Sequence, residues 1–72
     1  MSAAPLSVIE ILTQRVFART SRRVKNLVVE VTGGEQVILR GRTKSFHVKQ
    51  LAQQAAREVL PHARLENAIV VE

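Results

Sequence analysis

Two short runs of alternating apolar residues, separated by a glycine pair, restrict this chain more than any other feature. In the first run Leu27, Val29 and Val31 share one phase, and Val28, Glu30 and Thr32 share the other. Most of these residues are β-branched, and a period of two is that of a strand with unlike faces. Gly33-Gly34 can take the positive φ angles that tight hairpin turns demand. The alternation then resumes, with Val37, Leu39 and Gly41 in the inward phase and Ile38, Arg40 and Arg42 in the outward one. A β-hairpin is predicted, and the rest of the 72 residues must pack against it.

The flanking segments carry helical signals. Ser7 followed by Glu10 matches a capping box, in which hydroxyl and carboxylate each satisfy a free backbone N–H. Val8, Ile9, Leu12, Val16 and Phe17 then recur at helical spacing to about Arg19, with Gln14, Arg15 and Arg19 on the other side. Thr20-Ser21-Arg22-Arg23 reads as a polar connector. Ser45 can cap a second helix with the stripe Val48, Leu51, Ala52, Ala55, Ala56 and Val59, which Pro61 stops. Its alanines allow close approach to a sheet. Leu65, Asn67, Ile69 and Val71 alternate again as a last strand, whose inward Asn67 needs a backbone partner and is expected to fix the preceding turn. The order is α-β-β-α-β, and a right-handed crossover makes the third strand parallel to the second. The expected fold is α+β, a three-stranded sheet with two helices packed on one face.

A chain of this length has room for a single core and buries only about 60% of its unfolded surface. Without cysteine it has no disulfide or thiolate metal site to add, which leaves self-association as a supplement. Hydrophobic residues at 46% suffice for a core, but aromatics at 3% mean that aliphatic side chains must build it. Residues 1–6 precede the cap and are expected to be flexible. The start lacks a basic region followed by an apolar run, and no apolar stretch approaches the roughly 20 residues of a membrane span, so a cytoplasmic location is expected.

Val37-Ile-Leu39-Arg-Gly41 after the glycine turn resembles the V-x-L-x-G hairpin strand of the BON family, small domains named after bacterial osmotically inducible and nodulation proteins. The alanine-rich helix from Ser45 to Leu60 and the final Leu65-Glu-Asn67-Ala-Ile69, similar to that family's V-x-N-x-I strand, follow at matching distances. The chain differs at Pro61-His62, where the family usually shows Gly-Val. The resemblance implies a single BON-like domain over residues 1–72 with the same element order. It also implies a non-enzymatic module that contacts phospholipid surfaces or other proteins, often in the bacterial envelope.

The side chains themselves speak against catalysis. Cysteine, tyrosine and aspartate are absent, and a triad built on Ser7, Ser21 or Ser45 would have only glutamate to orient its base. Neither His47 nor His62 has a second ligand at metal spacing on its own element, so no metal, cofactor or catalytic residue is expected. Gly33-Gly34 leads into a strand and not into a helix, unlike a phosphate-cradling loop.

Charge is the informative quantity. Eleven basic against six acidic residues give +5, with a pI near 11.2, which favours polyanionic partners. Arg40, Arg42, Lys44 and Lys49 cluster about the start of the second helix as a candidate phosphate site; the plain reading is that they solvate a sheet edge. Val28, Ile38, Ala68 and Val70 would form half of an outward sheet face beside Glu30, Arg40, Arg42 and Glu66, either an interface or a solvated surface. Three functions remain: contact with anionic lipid or protein partners, sequence-blind binding of nucleic acid, and structural self-association. Against nucleic acid stand the scarcity of rings, only Phe17 and Phe46, and the lack of a G-x-x-G loop.

Overall fold

The computed structural model describes residues 7–33 and 36–72. Residues 1–6, Gly34 of the expected glycine turn, and Glu35 lie outside the described residues. The elements are α1 (Val8–Thr20), β1 (Lys25–Thr32), β2 (Gln36–Thr43), α2 (Phe46–Val59) and β3 (Arg64–Val71), in the order α-β-β-α-β. The sheet is mixed, with β2 in the centre, antiparallel to β1 and parallel to β3.

Both helix starts follow from their caps. Ser7 Oγ accepts from the Glu10 N–H at 3.1 Å, and the Glu10 carboxylate accepts from the Ser7 N–H at 3.0 Å, so the capping box is complete. Ser7→Ala is expected to remove about 1 kcal/mol, and in a domain of this size that lowers the melting temperature by about 4–8 °C. Thermal unfolding followed by circular dichroism checks this, with Ser2→Ala as a control outside the cap. Ser45 caps α2 alone, its hydroxyl accepting from the Val48 N–H at 3.3 Å. The helix stops at Val59, one residue ahead of the Leu60-Pro61 step that disfavours helical backbone.

One core joins Leu12 and Val16 of α1, Val48, Ala52, Ala55 and Ala56 of α2, and Val29, Val37, Leu39 and Ile69 of the sheet. The buried apolar residues of the three strands, Val29, Val37, Leu39 and Ile69, lie in their predicted inward phases, and buried Thr43 extends that of β2. α1 meets α2 and β1, while α2 also meets β2 and β3.

The first helix departs from its predicted stripe. Val8 and Ile9 are 43% exposed, and the buried line runs Leu12, Val16, Thr20 at steps of four. Thr20, read from the sequence as connector, ends α1 fully buried, its hydroxyl donating to the Val16 carbonyl at 2.7 Å so that no polar group is stranded. Left-handed backbone at Ser21 and Arg22 then reverses the chain and delivers Val24 into the core.

β1 begins two residues earlier than the alternation indicated because it contains a bulge. Lys25 pairs with Arg42 and Val28 with Arg40, so Asn26 and Leu27 together oppose Gly41. Asn26 supplies the positive φ, 55°, that such an extra residue requires.

Asn67 ties β3 to α2 instead of fixing a turn. Its amide donates to the Lys49 carbonyl at 2.9 Å and to Gln53 Oε1 at 3.4 Å, while its Oδ1 accepts from the Ile69 N–H at 3.3 Å. Glu72 donates inward to the Thr43 carbonyl. N–H directions alternate along a strand, so the Ile69 N–H faces the outer edge of the sheet.

Candidate functional site

The candidate site grows out of two chain reversals that meet at one end of the sheet. The turn after α1 brings Arg23 and Lys25 to the start of β1, and the end of β2 leads through Thr43-Lys44-Ser45 into α2. Between them lies a hollow of about 360 Å³ lined by Arg23, Lys25, Thr43, Lys44, Ser45, Val48 and Glu72. Three cations thus line the hollow with one acidic side chain, whose carboxylate is already engaged by Arg42 at 3.3 Å.

The floor is polar but internally satisfied. Thr43, 4% exposed, accepts from the Ser45 N–H through its hydroxyl at 3.4 Å, and Ser45 accepts from Val48. The N–H groups of Phe46 and His47 in the first turn of α2 find no acceptor among the described residues, and they add to the positive potential there. Phe46 itself is 61% exposed, more than any other large apolar side chain described.

The structure separates the four cations that the sequence grouped. Lys44 lines the hollow. Arg40 and Arg42 stand on the outward sheet face, where Arg40 pairs with Glu30 at 3.4 Å and Arg42 with Glu72. Lys49 sits half-buried one turn into α2, outside the lining, with its carbonyl engaged by Asn67. In their place the fold supplies Arg23 and Lys25, which carry no ion pair among the described residues. Arg15 and Arg19 are occupied by Glu58, which links α1 to α2. A strand started two residues earlier would have set Lys25 opposite Arg42 and revealed the cluster. The sequence signal for that shift was Asn26, a residue tolerant of positive φ, facing Gly41.

The proposed interface residues all lie in the outward phase. Val28 is 48% and Val70 55% exposed, with Ile38 and Ala68 half-buried between them. Among the described residues no His, Cys, Asp and Glu side chains gather as a metal site, and no helix is long and apolar enough to cross a membrane.

No family model, curated protein or solved structure matches the chain.

Proposed function

We propose that this domain is a non-enzymatic binding module that docks on anionic phospholipid surfaces through the basic hollow at the start of α2. The observation that carries this reading is the convergence of Arg23, Lys25 and Lys44 on one concavity whose only acid is paired elsewhere. A phosphate diester presents one negative charge on two free oxygens, which more than one cation can engage at once.

The exposed Phe46 ring lies two residues after Lys44 in sequence, and an apolar side chain near cations suits the boundary between headgroups and acyl chains. The motif resemblance to BON domains supports the same reading. It takes both helices as packed on the inward face of the sheet, which the shared core cluster supports.

The test is co-sedimentation with vesicles of phosphatidylglycerol and phosphatidylcholine. Binding is expected only where anionic lipid is present, and to weaken with salt. At about 1 kcal/mol per cation near an anionic surface, replacing Arg23, Lys25 and Lys44 together with Ala reduces the affinity by about a hundredfold. Phe46→Ser weakens lipid binding further while leaving the response to a duplex DNA oligonucleotide unchanged. Wild-type binding by the triple variant would overturn the site. Equal binding of vesicles and duplex, both abolished by salt, would reduce it to a generally basic surface.

A further inference from the structure

Charge on the outward face of the sheet changes sign along the strands. Strand pairing sets the residues in rows, and the row at the hollow end holds Lys25, Arg42 and Val70. Val28, Arg40 and Ala68 form the next, and Glu30, Ile38 and Glu66 the third. Arg64 stands in the last row, beside Gln36 and Thr32. The two rows nearest the hollow therefore hold three cations and no acid, whereas the two farther rows hold two acids and one cation.

Lys25 belongs both to this face and to the lining of the hollow, so the two basic surfaces are continuous. It also stands directly opposite Arg42 on the neighbouring strand, an apposition of like charges that an anion between them relieves. Val28 and Val70, each about half exposed, project among these cations. Arg40 and Arg42 pair with Glu30 and Glu72, but exposed ion pairs of this kind are held weakly and exchange partners readily.

We infer that the domain meets an anionic bilayer along the corner between the hollow and the outward face, with the first two rows against the headgroups and the Glu30 row raised off them. Resting on the reading of the hollow as a lipid site, this placement extends the contact onto the sheet and fixes the tilt of the strands. A face laid flat would press Glu66, which has no ion pair among the described residues, onto the lipid phosphates. Four residues of strand, about 13 Å, separate the first row from the third, more than the screening length of about 8 Å in physiological salt. With the hollow end down, the cations lie within reach of the surface charge and the carboxylates beyond it. The two valines then enter among the headgroups, where apolar side chains flanked by cations are favoured.

Co-sedimentation of the intact chain with vesicles of phosphatidylglycerol and phosphatidylcholine tests the placement through variants at exposed positions. Arg40→Gln should weaken binding about fivefold, the loss of one cation near an anionic surface. Val28→Ser with Val70→Ser should weaken it about tenfold by removing apolar surface from the headgroup layer, and should leave binding to a duplex DNA oligonucleotide unchanged. Glu66→Gln should alter it by less than about twofold, because a raised carboxylate is screened from the lipid. Wild-type binding by Arg40→Gln and by the valine variant, alongside lost binding when Arg23, Lys25 and Lys44 are replaced, would overturn the placement and leave the hollow docking end-on. Binding made about fivefold tighter by Glu66→Gln would overturn the tilt. Equal losses of vesicle and duplex binding in the valine variant would assign the face to nucleic acid instead. A wild type that ignores the vesicles removes both the hollow as a lipid site and the placement built on it.

Discussion

Replacing Gly41 with Ala is expected to destabilise the domain by about 3 kcal/mol, close to the upper range for overpacking a tight site, and to lower its melting temperature by roughly 10–20 °C. Gly41 faces the two-residue bulge of β1, and a Cβ there would lie 2.7 Å from Val24 Cγ1 and 2.9 Å from the Lys25 carbonyl oxygen. The valine methyl could turn aside, but the carbonyl belongs to the backbone that forms the bulge. Its φ of 156° is also one that residues with a side chain rarely adopt. Net stability for a chain of this length is roughly 4–10 kcal/mol, so the loss is a large share of it. Urea unfolding followed by circular dichroism measures the effect, and a midpoint within error of wild type would mean that the bulge does not hold Gly41 in place.

Leu39→Ala should cost still more, about 3–5 kcal/mol, because it deletes a fully buried side chain from the central strand and leaves a cavity. Leu39 sits between two other strands, and its neighbours across the core include three alanines of α2 that have no length with which to fill the gap. At the upper end of that range the variant is unfolded at room temperature in a marginal domain, with loss of chemical-shift dispersion by NMR as the readout. Ile38→Ala is the matching control one residue away, since Ile38 lies half-buried on the outward face and should cost under half as much. Equal losses at the two positions would contradict the assignment of inward and outward phases.

The inward phases of all three strands, the apolar stripe of α2 and both caps were readable because each depends on a local period or a pair of residues three apart. The first helix was misread at Val8 and Ile9 for a physical reason. Apolar spacing identifies a stripe, but which part of it is covered depends on where the neighbouring elements end. Thr20 was missed because a buried hydroxyl that bonds back to its own helix is indistinguishable in sequence from a solvated one. The grouping of cations was less legible still. Arg23 and Lys25 meet Lys44 only through the pairing register and the bulge, which are tertiary facts, while Arg40 and Arg42 are engaged by Glu30 and Glu72.

The Asn67 side chain has a consequence for the crowded cell as well as for the isolated fold. β3 is an edge strand that ends in Ala68-Ile69-Val70-Val71, four uncharged residues, three of them β-branched, with no proline. Such a run is the kind of template on which further chains stack into fibrils. By holding the Ile69 N–H, Asn67 withdraws a backbone donor from the middle of that edge, and its grip on α2 keeps the helix close beside it. A residue that looks like a polar defect in an apolar strand thereby leaves that edge one backbone donor fewer for another chain to pair with.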